Sequence, residues 1–170
     1  MRVRAPFGKC VDTSRVRQRD GSASVVLANC SNLGGRADAG APDAALVLVT
    51  ITKGTHGDLA ALSDLVQANP ALLARSGRAE DIELLEIERS SVALYVNLID
   101  SGPGSPQGVS ERHWKAALDI AGRAVVISVF GKVEGPLPGA AGEDLIRDTA
   151  QILLQINENT PPPANSGDGS

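Results

Sequence analysis

The chain is poor in the residues from which active sites and stacking platforms are built. Of its 170 residues only Phe7, Tyr95, Trp114 and Phe130 are aromatic. Four scattered rings are too few for the platforms on which single-stranded nucleic acid is held, so no nucleic-acid partner is expected. No apolar run is longer than Ala44 to Val49, far below the roughly 20 residues of a spanning helix, so no transmembrane segment is expected. The chain lacks G-x-S-x-G and H-E-x-x-H. Gly102, Gly104 and Gly108 are spaced wrongly for a dinucleotide loop, with Pro103 and Pro106 between them, and Gly8-Lys9 lacks the rest of a phosphate loop. No cofactor and no resident metal is expected.

Cysteine is also scarce, and its placement is informative. Cys10 and Cys30 bracket Arg19-Asp20-Gly21, a hairpin signal because Gly takes the positive φ of a tight turn. A three-residue loop with Gly21 left-handed sets Cys10 opposite Cys30; a two-residue Asp20-Gly21 loop sets Cys30 opposite Val11. Facing residues of an antiparallel pair lie within disulfide reach. Two free buried thiols, or a metal site shared with His56 and His113, are the alternatives, but zinc ligands come in closely spaced pairs that are missing here. A disulfide is the favoured reading, and it implies an oxidising compartment.

The start, Met1-Arg2-Val3-Arg4-Ala5-Pro6, has no apolar core of a signal peptide. Two readings stand: a periplasmic or otherwise exported protein whose signal has been removed, or a cytoplasmic protein with reduced thiols. The formal charge is -4, yet Arg2, Arg4, Lys9, Arg15, Arg17 and Arg19 against Asp12 and Asp20 leave +4 on the first twenty residues. Such an arm could associate weakly with an anionic envelope surface. The plainer reading is an edge strand, Arg15, Arg17 and Arg19 alternating with Val16 and Gln18 and guarding against aggregation.

Periodicity predicts one α+β domain over residues 1–157, with an N-terminal hairpin and loop region (1–44) and a core (45–157). Ser24 to Asn29 and Ala45 to Lys53 read as strands, separated by a Gly- and Ala-rich loop, Leu33 to Pro42. Asp58 is placed to cap a helix with the stripe Leu59, Leu62, Leu65 and Val66; Pro70 ends that helix or begins a second short one, in which Leu72 and Leu73 continue the burial, and Ser76-Gly77 supplies the stop. From Ile82 the period falls to two, with a phase change that predicts a bulge near Leu84. A hairpin at Arg89-Ser90-Ser91 leads to the alternation of Val92, Leu94, Val96 and Leu98. After the Pro-Gly loop from Ser101, strands Arg112 to Ile120 and Arg123 to Gly131 turn at Gly122, and a helix follows over about Gly142 to Asn157. The tail 158–170, Pro-, Gly- and Ser-rich from Asn159, is expected to be disordered.

His56 is the best-placed catalytic candidate, in Thr55-His56-Gly57-Asp58, where Asp58 could orient it as the base of a small hydrolase or transferase. A loop or capping residue is the plainer assignment, and His113 reads as a solvated position opposite Trp114. Glu83, Glu86 and Glu88 line one strand and read as a charged edge rather than an acid–base pair. This acidic strand could instead hold a basic client, as in immunity or chaperone-like proteins. Trp114 is either core or, exposed beside the Pro-Gly loop, an interaction anchor. The expected interaction surface comprises Trp114, Tyr95 and His113 with Pro103 and Gln107 of the loop.

The order strand, helix from Asp58 to Arg75, hairpins, Arg112-His113-Trp114-Lys115, Gly122-Arg123 with Ala124 to Phe130, then a terminal helix resembles a PsbP-like superfamily domain over Ala45 to Asn157. The cysteine-bracketed runs Cys10-Val11-Asp12 and Val25 to Cys30 also resemble uncharacterised exported proteobacterial proteins. The resemblance implies an α/β/α sandwich acting as a noncatalytic binding or accessory module of the cell envelope, its protein partner unknown. Such a partner would meet the sheet or the Ser101 to Ser110 loop through weak or polar contacts.

Overall fold

The computed structural model describes residues 1–35, 46–73, 78–103, 108–135, 137 and 139–158. Residues 159–170 of the expected tail, the Ser76-Gly77 stop, Gln107 and most of the Leu33 to Pro42 loop lie outside these described residues. Seven strands, β1 (Lys9–Arg19), β2 (Ser22–Asn29), β3 (Leu46–Lys53), β4 (Ile82–Arg89), β5 (Ala93–Asp100), β6 (Val109–Ile120) and β7 (Arg123–Lys132), form one antiparallel sheet in the order β1-β2-β3-β7-β6-β5-β4. Helix α1 (Leu59–Ala68) joins β3 to β4, and α2 (Gly139–Asn157) closes the described chain.

The helices take opposite faces. Against α2, Val25, Val47, Val49, Tyr95, Trp114, Leu118, Ile127 and Val129 meet Leu145, Ile146, Ala150 and Leu153, and Met1, Val3 and Ala5 pack alongside. Against α1, Leu94, Val96, Leu98 and Ala117 meet Val66, with Leu59, Leu62, Leu73, Leu84 and Ile87 at the margin. Burying each such side chain contributes about 1.5–3 kcal/mol. α1 starts where expected, Asp58 Oδ1 accepting the Ala60 amide at 2.8 Å. A separate 3-10 helix, Pro70–Leu73, follows α1, and Leu65 of the expected stripe and Leu72 of this second helix face outward, 57% and 56% exposed. A short helix at the sheet margin buries one narrow line of side chains, here through Leu62, Val66 and Leu73.

The cystine is present, Cys10 to Cys30 with Cα atoms 4.9 Å apart, which removes the free-thiol and metal alternatives. Its register differs from both turn-based expectations. Asp20 (φ 48°) and Gly21 (φ 77°) form a two-residue turn between Arg19 and Ser22, but a bulge between Asp12 and Arg17 then slips the ladder until Cys10 faces Ala28. Cys30 lies one step past β2, its amide bonded to the Gly8 carbonyl at 3.2 Å, and reaches Cys10 diagonally. β1 is a sheet edge with Arg15, Arg17 and Arg19 exposed, as the charge pattern indicates. The bulge in β4 falls between Leu84 and Glu86, turning Leu84 and Ile87 to the α1 face together.

Trp114 takes the core alternative, 4% exposed, its Nε1–H donating to the Gly139 carbonyl at 3.1 Å. His113 is not solvated: it is 4% exposed and stacked on Phe130 with centroids 4.6 Å apart. The reason is that β6 is covered on both faces, so the phase opposite the core Trp is also interior.

Two outcomes follow. Replacing Cys10 and Cys30 together by Ser should lower unfolding free energy by about 3 kcal/mol on the chain-entropy model, read from denaturant midpoints with and without reductant. At Gly142 an added Cβ would stand 2.6 Å from Trp114 Cδ1. Overpacking of about 1–3 kcal/mol opposes a helix-propensity gain of about 1 kcal/mol, so Gly142→Ala should lower Tm, and Trp114→Leu in the same chain should recover part of the loss.

Candidate functional site

The sheet carries a concavity at each end. At the end where β3 stops and β7 starts, the His56 loop is held by Asp119 of β6: Oδ1 accepts the His56 amide at 2.7 Å and Oδ2 the Gly57 amide at 3.3 Å. The His56 ring contacts the Val125 carbonyl through Nε2 at 3.2 Å, while Asp58 is engaged in capping α1. His56 and Asp58 therefore make no hydrogen bond to each other, and the pairing on which the hydrolase reading rested does not form. Beside this loop an open cleft of about 430 Å³ is lined by Asp58, Arg89, Val92, Asp119 and Leu154.

The opposite end carries the more apolar concavity. Where β5 and β7 run out and β6 begins, Ile99, Val109, Ser110, Glu111, Arg112, Val133, Leu137 and Gly139 line an open groove of about 590 Å³. This lies within the volume range of small-molecule sites. The chain is anchored into it from both sides. Gly102 donates to Asp100 Oδ1 at 3.0 Å, and Ser101 donates to the Asp81 carbonyl through its amide at 3.0 Å and its hydroxyl at 3.1 Å. On return, Gly108 (φ 79°) takes the left-handed conformation that turns the chain back into β6.

Arg112 is the groove's cation. Its Nε donates to the buried Asn97 Oδ1 at 3.3 Å, and its Nη2 lies 3.2 Å from where a Cβ would stand on Gly139. The guanidinium thus lies over the first residue of α2, whose positive end reinforces the local positive potential, with Glu111 as the only acidic side chain among the described lining residues. Trp114 lies directly beneath, bonded to Gly139 and meeting Gly142 together with Leu137.

Of the expected surface, Pro103 is exposed on the loop leading to this groove, and Gln107 lies outside the described residues. Trp114, Tyr95 and His113 are interior, so the three rings do not form an exposed patch. Tyr95 underlies a clamp instead. Arg147 of α2 sits 4.4 Å above its ring and bonds Glu143 at 2.9 Å and Glu88 of β4 at 2.5 Å. Burial raises the Tyr95 pKa above its ordinary value, against the lowering effect of the Arg147 charge.

Sequence reasoning missed Arg112, Val109, Val133 and Leu137 as a group. A signal existed: Val133, 62% exposed, and Leu137 are apolar residues in a Gly- and Pro-rich stretch where no periodicity requires them. Asp119 was also missed, although an acid just before the Ala121-Gly122 turn, at the end of an apolar strand, is placed to brace a neighbouring loop. Asp119→Ala leaves two amides without their carboxylate and should destabilise the fold by about 1–3 kcal/mol, while Asp58→Ala should cost about 1 kcal/mol. Denaturant unfolding, with amide exchange at Gly57, separates the two. No protein-family model, no curated protein and no solved structure matches the chain.

Proposed function

We propose that this chain is a noncatalytic, exported binding module of the cell envelope, built on a PsbP-like sandwich, that holds an amphiphile with an anionic head in the Arg112 groove. The observation that carries the reading is the pairing of chemistries at one place: aliphatic walls from Ile99, Val109, Val133 and Leu137, and one oriented guanidinium at the rim. An aliphatic chain lying against those walls gains about 25 cal/mol per Å² of apolar surface removed from water, and an anionic head beside Arg112 gains a charge-assisted hydrogen bond. The cystine supports an oxidising compartment, and helices on both faces of a single antiparallel sheet support the sandwich. His56 supports a noncatalytic role, its Nε2 being directed at a backbone carbonyl.

Trp114, the one tryptophan of the sequence, is a built-in reporter beneath the groove. Titrating the oxidised protein with decanoate, below its micelle concentration, should change Trp114 emission saturably. Leu137→Asp and Val109→Asp should abolish the change, and Arg112→Gln should weaken decanoate about tenfold while leaving decanol unaffected. An unchanged emission, or equal responses in wild type and Leu137→Asp, would overturn the proposal.

A further inference from the structure

The end of the sheet away from the groove holds a second concavity with different chemistry. About 440 Å³ in volume, it lies at the tip of the β1–β2 hairpin and is lined by Met1, Gln18, Arg19, Asp20, Gly21, Ser22, Ala23, Ile51 and Arg123. Ala23 and Ile51 face each other across β2 and β3 and give an apolar floor. Polar atoms come from Gln18, Ser22 and the turn.

Two cations reach this turn, Arg123 from the lining of the cavity and Lys53 from outside that lining. Arg123 Nη1 donates to the Gly21 carbonyl at 3.1 Å, and the end of the Lys53 side chain lies where a Cβ of Gly21 would be. Lys53 and Arg123 are direct cross-strand partners in β3 and β7. Like charges facing each other across a sheet oppose folding, and here neither is relieved by a described carboxylate. The acids of the hairpin are paired within it, Asp12 with Arg15 and Asp20 with Arg19. Asp20, the acid nearest in sequence to the turn, is thus already matched by Arg19, and both are almost fully exposed.

We propose that this tip is a binding site for a phosphate group, held between Lys53 and Arg123. A doubly charged oxyanion matches two converging cations, one presenting a planar fork of donors and the other a compact point charge. The cavity exceeds a bare phosphate, and its Ala23–Ile51 floor suits the carbon part of a small phosphoester. The same chemistry is offered by a soluble phosphoester and by a phospholipid head group. The site is independent of the Arg112 groove, and either can fail without the other.

Thermal unfolding in sodium phosphate against sodium chloride at matched ionic strength tests the site. At ten times its dissociation constant, inorganic phosphate should raise Tm by roughly 3–6 °C. The rise should vanish in Lys53→Met and in Arg123→Gln and persist in Lys53→Arg. Without phosphate, Lys53→Met should melt no lower than wild type, because it removes a like-charge contact. The absence of a phosphate-specific rise, or a rise of the same size in Lys53→Met and Arg123→Gln, would overturn the proposal. Sedimentation with vesicles of phosphatidylglycerol and phosphatidylcholine in equal parts, against phosphatidylcholine alone, assigns the source. Capture lost in Lys53→Met supports a lipid head group, and a thermal shift without capture supports a soluble phosphoester.

Discussion

The interior of this protein depends on a sheet whose central strands are dry on both faces. Every residue of β5 from Ala93 to Leu98 is buried, and the same holds for β6 from His113 to Leu118. A strand in that position needs a layer above and a layer below, which places α2 with the N-terminal segment on one side and α1 on the other. It also places polar side chains where water does not reach, and each must be met from within. Asn97 accepts from Arg112, Lys115 Nζ reaches the Leu73 carbonyl, and the His113 Nδ1 edge meets the Glu111 carbonyl. One of these bonds, from Lys115 to Leu73, holds connecting structure against the sheet, and another, from Arg112 to Asn97, orients a surface cation, so satisfying the interior also positions the surface. Arg112 is oriented over α2 because Asn97 inside the core requires a donor.

Element order was legible because it rests on periodicity and local turn chemistry. The capped helix at Asp58, the phase change in β4 and the turn at Gly122 are each written within a few neighbouring residues. What was not legible depends on events between strands. Thr13-Ser14-Arg15-Val16 carries no Gly or Pro to mark the bulge that slips β1 against β2, so counting from the turn gave a wrong register for a correct cystine. His113 was placed on the proper face, but alternation cannot say that the second face is covered. Leu65 and Leu72 follow a helical stripe that a short marginal helix does not fully bury. The groove was hidden for a related reason: its walls come from three strands' ends and a loop, and no single segment carries the pattern.

The two open edges of the sheet carry opposite charge. β1 presents Arg15, Arg17 and Arg19, and β4 presents Glu83, Glu86 and Glu88. Opposite edges of this kind would invite one copy to extend the sheet of another, yet each is interrupted by a bulge, at 12–17 in β1 and at 84–86 in β4. A bulge removes the straight run of unpaired amides and carbonyls that strand addition requires. The charges therefore act as fields over exposed surfaces rather than as a pairing code, and Arg147 confirms the local use of one of them by drawing Glu88 onto α2.

Distance decides how far those fields reach. β3 and β7 run in continuous register from Lys53 and Arg123 at the hairpin tip to Leu46 and Phe130 at the other end, a span of about 23 Å at the usual strand rise. That is more than twice the screening length of about 8 Å at physiological salt. The cations at the tip therefore add little to the potential at the groove, which is set locally by Arg112, Glu111 and the first turn of α2. The strands between are densely packed and hydrogen-bonded, so a ligand at either end meets a framework already fixed in place, and neither concavity depends on the charge of the other.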